Sequence, residues 1–105
     1  MRDKIDSYLG FAAKSRSLVV GTDTCRILMG KGKVKLLLLA TDLAENSKEK
    51  IIKEAVKNNV PYKIYETKEK LSKLTGEKTS GVFGILDDNF KDVIVKELEN
   101  KEGKR

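Results

Sequence analysis

Apolar residues recur along this chain at two periods that take turns, one suited to a helix and one to a strand. Ile5, Tyr8, Leu9, Ala12 and Ala13 fall at i, i+3, i+4, i+7 and i+8, a single stripe that predicts an amphipathic helix over residues 3–15. Asp3 has the chemistry of its N-cap, and Lys14 and Arg16 suit the negative end of its dipole. A short apolar strand over 18–20 then runs into Gly21. Thr22 is placed to cap a second helix, over 22–29, which Gly30-Lys31-Gly32 brings to an end. Residues 36–40 read Leu-Leu-Leu-Leu-Ala with no polar alternation, which predicts a strand covered on both faces.

The same alternation continues to the C-terminus. Asn46 with Glu49 has the spacing of a capping box, and the helix it would open runs to about Asn58 and buries Ile51, Ile52, Ala55 and Val56. Residues 60–65 form a third strand, with Pro61 at its start where no ladder donor is lost. Thr67 caps a short helix that turns Leu71 and Leu74 inward and stops at Gly76. A polar loop, 77–80, leads to the fourth strand, 81–86. Asp87 and Asp88 open a last helix striped by Phe90, Val93, Ile94 and Leu98. Strands alternating with helices in the order αβαβαβαβα predict one α/β domain over 1–100. Its architecture is a three-layer α/β/α sandwich with helices on both faces of a four-stranded sheet. Residues 101–105 have no apolar position and are expected to fray.

Composition narrows the chemistry. The chain has no His, so no imidazole base, and one Cys, so neither an internal disulfide nor a thiolate metal cage. A lone thiol fits a reducing cytoplasm, no apolar run approaches membrane-spanning length, and the acids near the N-terminus do not suit a signal peptide. Three Phe, three Tyr and no Trp argue against a stacking platform for single strands. The net charge of +6 is unevenly spread. Residues 14–35 hold six basic side chains against one acid, while 87–102 hold six acids against three bases. Such asymmetry suits a polyanion binder and equally a solvated lysine-rich surface.

Four features have the residue types of a site. Met29-Gly30-Lys31-Gly32 lacks the earlier Gly and the following Ser or Thr of a phosphate-binding P-loop, and it follows a helix rather than opening one. Asp23, Asp42 and Glu45 fall near strand ends, where carboxylates hold Mg²⁺ or satisfy loop and helix-end amides; the second role is expected, and no metal or cofactor site is predicted. Cys25, beside Arg26, is expected in the core rather than as a reactive thiolate. The fourth feature is Gly21-Thr22-Asp23-Thr24, which joins the open amides of a helix start to short polar side chains and nearby cations. The loop between Gly76 and Gly81 adds Lys73 and Lys78, and two such loops on one sheet edge would form a cleft for folded nucleic acid.

These residues, in this order, resemble the ribosomal protein L7Ae family. The likeness rests on Gly21-Thr22-Asp23 opening a short helix, on Gly32, on residues 35–42, on Val60-Pro61-Tyr62, on Leu71 with Gly76, and on the closing strand. It covers residues 4–98, and within the family it is greatest to the small bacterial YlxQ-type proteins. The resemblance implies a three-layer fold with a mixed four-stranded sheet, and RNA binding without catalysis. Members that bind kink-turn RNA use a Gly-x-Asn-Glu-x-x-Lys motif. Gly21 matches it, whereas Asp23, Thr24 and Ile27 stand at the Asn, Glu and Lys places.

The resulting expectation is a non-enzymatic, cytoplasmic protein that binds structured RNA, ribosomal or otherwise non-coding, with little selectivity for kink-turns. Gly21, Thr22, Asp23 and Thr24 shape the site, and Arg26, Lys31, Lys33, Lys73 and Lys78 contact phosphate. The rival expectations are a protein-interaction module of the same fold whose RNA site has decayed and, more remotely, a small hydrolase using Asp23 and Asp42.

Overall fold

A computed structural model of the protein describes residues 4–76, 78 and 81–103. Five helices and four strands alternate: α1 (Lys4–Lys14), β1 (Leu18–Val20), α2 (Thr22–Gly30), β2 (Leu36–Leu39), α3 (Glu45–Lys57), β3 (Tyr62–Ile64), α4 (Lys68–Thr75), β4 (Val82–Ile85) and α5 (Asp88–Gly103). The strands form one mixed sheet in the order β1-β4-β2-β3. β4 is antiparallel to both neighbours, and β3 is parallel to β2.

The uninterrupted apolar strand is central, as expected, and all four residues of β2 are fully buried. Its alternate side chains serve two separate cores. Leu36, Leu38 and Ala40 join Ile5, Leu9, Leu71, Phe83 and Ile94 under α1, α4 and α5. Leu37 and Leu39 join Cys25, Met29, Ile51 and Ala55 under α2 and α3. A strand with two apolar faces thus has helices on both sides, which is the three-layer sandwich.

Chain direction decides where the loops gather. β1, β2 and β3 run one way and β4 the other. The connections β1–α2, β2–α3, β3–α4 and α4–β4 therefore meet at one edge of the sheet, here termed the upper edge. Three backbone hydrogen bonds mark it: Gly21 N donates to Val82 O, Ala40 N to Gly81 O, and Thr41 N to Glu66 O. The connections α1–β1, α2–β2, α3–β3 and β4–α5 meet at the lower edge, where Lys35 N donates to Ile85 O and Leu86 N to Ser17 O.

Several local expectations need correction. Thr22 is the first residue of α2, not its cap; the cap is Gly21, with no side-chain hydrogen bond to the helix. The Asn46–Glu49 capping box is not formed, because α3 begins two residues earlier, with Ala44 as its cap and again no side-chain hydrogen bond. Val56 is 63% exposed, since a helix that buries Ile51 and Ala55 turns position 56 about 100° away. α5 stays helical to Gly103, past the last apolar position. Elsewhere the reading holds. Thr67 Oγ1 accepts from Lys70 N, Gly76 closes α4 at φ 75, and Asp87 Oδ1 accepts from the amides of Asn89 and Phe90. Asp3, and the loop residues 77, 79 and 80, lie outside the described residues.

Candidate nucleic-acid interface

At the upper edge the chain leaves β1 and enters α2 through Gly21, at φ 109 and ψ 147. That positive φ is a glycine conformation and turns the chain sharply into the helix. With no side-chain cap, the first-turn amides of α2 remain available to an external acceptor. Asp23 and Thr24 are exposed around them and Thr22 is half-buried.

The facing wall comes from β4 and α4. A methyl group on Gly81 would lie 3.1 Å from Ala40 Cβ, 3.2 Å from Lys68 Cγ and 3.3 Å from Lys68 Cε. The absence of a side chain at Gly81 therefore lets the Lys68 stem lie across the start of β4. The Lys68 amide donates to Asp42 Oδ1 at 3.0 Å, which joins the β2–α3 turn to the start of α4. Lys78, exposed, belongs to the connection that returns to this same edge. Sequence reasoning did not single out Lys68; its position follows from the parallel β2–β3 pairing, which no local motif encodes.

The other expected phosphate contacts are dispersed. Arg26 lies one turn into α2, paired with Asp23 at 3.5 Å, and lines a groove between α2 and α3. Lys31 and Lys33 follow the C-terminus of α2 at the lower edge, Lys31 about 15 Å from Gly21 at 1.5 Å per helical residue. Lys73 is in the last turn of α4, paired with Glu69 at 3.5 Å, and shares a groove with Lys14 of α1. The structure thus brings Gly21, Thr22, Asp23 and Thr24 to one edge, with Lys68 across it, sets Arg26 beside it, leaves Lys31, Lys33 and Lys73 on other surfaces, and has Lys78 exposed in the connection between α4 and β4.

The remaining candidates have structural partners. Asp42 accepts the Lys68 amide, and Glu45 pairs with Lys48 at 3.6 Å. Among the described residues no cluster of three or more Cys, Asp or Glu side chains is arranged to hold a metal ion. Cys25 is fully buried, and burial pushes its thiol up to about 12, which keeps it protonated and unreactive. One buried polar group went unforeseen. Asp6 of α1 accepts the Tyr65 hydroxyl at 2.8 Å and faces Lys70 Nζ at 3.6 Å, while Lys70 also binds Glu66 at 3.2 Å. The Glu66 hydrogen bond first, and then the Asp6 charge, hold the Lys70 ammonium above its ordinary pKa.

The fold and this edge define a class. The sequence model of the ribosomal protein L7Ae/L30e/S12e/Gadd45 family matches residues 3–95, and the chain belongs to that family. It is 28% identical over 91 residues to the RNA-binding protein YlxQ of Bacillus subtilis (strain 168), covering 87% of this chain and 91% of that one. It is 27% identical over 89 residues to the RNA-binding protein YlxQ of Enterococcus faecium, covering 85% of each. Two solved structures share the fold. A protein of unknown function from Bacillus halodurans C superposes with a TM-score of 0.89 at 24% identity, covering 93% of this chain and 99% of that one. The Giardia lamblia 15.5kD RNA binding protein superposes with a TM-score of 0.74 at 16% identity, covering 98% and 92%.

Proposed function

We propose that this protein binds structured RNA at the upper edge, without catalysis, as part of a cytoplasmic ribonucleoprotein of which the ribosome is the leading candidate. The observation that carries the reading is the meeting of the uncapped α2 start with Lys68 across Gly81, in a member of a family whose similar relatives are named RNA-binding. Open amides and mobile cations recognise phosphate and 2′-hydroxyl groups, so duplex shape is what such an edge reads. Asp42, which could have served a hydrolase, is occupied with the α4 amide.

Selectivity for kink-turns is expected to be weak. Asp23 and Ile27 are both exposed, 86% at the Asp23 side chain and 52% at Ile27, so they present a carboxylate and a hydrocarbon surface where kink-turn readers need an amide and a cation. A lost hydrogen bond to a charged group is worth about 1.5–3 kcal/mol. Two such losses amount to roughly 10³-fold in affinity. The test is competition between a kink-turn RNA and a plain duplex of equal length at physiological salt. Comparable affinities are expected for the native chain. The combined substitution Asp23→Asn, Thr24→Glu and Ile27→Lys should shift preference toward the kink-turn, without repacking because all three positions are exposed. Tight, selective kink-turn binding by the native chain would overturn the selectivity argument. No binding to either RNA would overturn the function.

A second reading, a protein-interaction module, is favoured by an apolar hollow between α1 and the start of α5, where Phe11 is 57% exposed beside Tyr8 and Phe90. Partner capture that survives RNase treatment and is lost in Phe11→Ser would support it over the first.

A further inference from the structure

The upper edge continues into the groove between α2 and α3, which has a volume of about 480 Å³ and opens beside Thr22 and Asp23. Arg26 lines one wall; Lys50, Lys53 and Lys57 of α3 line the other. Offsets of three and four residues set these lysines on one stripe of the helix. All three are exposed. No acid among the described residues lies within ion-pair distance of any of them. Two acids share the groove: Asp23, already paired with Arg26, and Glu54. The surplus charge is therefore the lysine stripe. The lysines reach from Lys50 to Lys57, about 10 Å at 1.5 Å per residue. One strand of B-form DNA presents about three phosphates over that length, at ~3.4 Å of axis each, and a strand of A-form RNA, whose rise is shorter, presents at least as many.

We infer that the α2–α3 groove is a second phosphate track, in which Lys50, Lys53 and Lys57 hold the backbone of an RNA stem as it leaves the upper edge. The inference rests on the RNA-binding reading above and extends its footprint along the outside of α3. An acidic protein segment would meet the same charges. The RNA is favoured because the track joins the open α2 start without a break, so one duplex can occupy both.

The test uses a 20-base-pair RNA hairpin and the full chain. The triple substitution Lys50→Gln, Lys53→Gln and Lys57→Gln is compared with a triple of equal charge at the lower edge, Lys31→Gln, Lys33→Gln and Lys35→Gln. Each lost phosphate contact lowers the slope of log K against log[salt] by about 0.7–0.9, so the groove triple should lower it by about 2–3 and weaken binding at 0.1 M salt by about a hundredfold. Hydroxyl-radical protection of the stem should shorten by two to three nucleotides. The lower-edge triple should change affinity by less than about threefold, because none of its three lysines lines the groove. Thermal melts within a degree or two of the native chain would show that both variants are folded. Equal losses from the two triples would mean a net-charge effect and overturn the track. An unchanged slope in the groove triple, with binding lost on Lys68→Gln and Lys78→Gln, would overturn the track and leave the upper-edge reading standing. Absence of hairpin binding by the native chain would remove both. Tighter binding of a poly-glutamate peptide than of the hairpin, lost in the groove triple, would assign the groove to a protein instead.

Discussion

Among the described residues Asp6 is the one buried charged side chain, and Tyr65 and the half-exposed Lys70 are its partners. Asp6 is 7% exposed, at the seam where α1 meets the β3–α4 connection. Tyr65→Phe would leave Asp6 Oδ1 without the hydroxyl it accepts, at a cost of about 1–3 kcal/mol. Each kcal/mol lowers the melting temperature of a domain this size by about 4–8 °C, so calorimetry decides the point. Cys25 makes a prediction of opposite kind. In the unfolded chain its thiol ionises near pH 8.5, whereas burial holds it protonated to about 12 in the fold. Between those values the unfolded state binds fewer protons, so stability falls as pH rises, by up to about 1.4 kcal/mol per unit. Lysines titrate in the same range. Lys70, whose pKa is raised, also stabilises below the ordinary lysine value and loses that contribution as pH climbs through its own. The Cys25 share is therefore read as the difference between the native chain and Cys25→Ala across pH 8 to 11. A thiol reagent should leave the folded protein unmodified and react once it is denatured.

Among the secondary-structure elements, the contact that places α2 on the sheet depends on a missing side chain. A methyl group at Gly84 of β4 would lie 3.1 Å from Val19 Cγ2, 3.3 Å from Cys25 Sγ and 3.3 Å from Val34 Cγ2. Val19 is in β1, Cys25 in α2 and Val34 in the connection before β2, and all three pack on the same core, so none can withdraw alone. Overpacking of this sort costs about 1–3 kcal/mol. Removing a strand glycine returns up to about 1 kcal/mol. Gly84→Ala should therefore destabilise by about 1–2 kcal/mol net, measured by urea unfolding. RNA affinity below the melting temperature should stay unchanged, because Gly84 lies in mid-strand, away from the upper edge. A loss of affinity without loss of stability would mean that α2 had tilted rather than strained.

Across the whole molecule, cations stand at both sheet edges, and the proposed function uses those of the upper edge. Lys68 is at the upper edge and Lys78 in the connection between α4 and β4; Arg16, Lys31, Lys33 and Lys35 belong to connections at the lower edge. About 13 Å of helix separates the two ends of α2, more than the ~8 Å Debye length at physiological salt. Lys68→Gln with Lys78→Gln should lower the salt slope of RNA binding by about 1.5–2, whereas Lys31→Gln with Lys33→Gln should barely move it. A titration of each double variant against the same duplex makes the comparison. Equal effects would mean that RNA reaches both edges.

The order of elements was legible in the residues alone, because hydrophobic period, caps and stops are local properties. The Leu36–Leu39 run declared a strand with two covered faces, Gly76 declared a helix stop, and Cys25 declared a core thiol in a chain with nothing to activate it. Local signals failed at two helix starts, at Val56 inside α3 and at the end of α5. Thr22 and Asn46 have capping chemistry, yet Gly21 and Ala44 hold those places. Site composition was only half legible. Gly21-Thr22-Asp23-Thr24 is contiguous, so the sequence keeps it together whatever the fold. Whether Lys31 or Lys68 stands beside it depends on strand direction. β4 lies antiparallel between β1 and β2, and β3 lies parallel to β2. That pairing brings Lys68, 47 residues from Gly21 in sequence, to the same edge, and sends Lys31, only ten residues away, to the other. The lysine stripe of α3 was likewise visible only as a solvated face, until the packing of α2 alongside it made a groove. Strand pairing and helix packing are long-range choices, settled by burying both faces of β2 at once, and no short window of residues contains them.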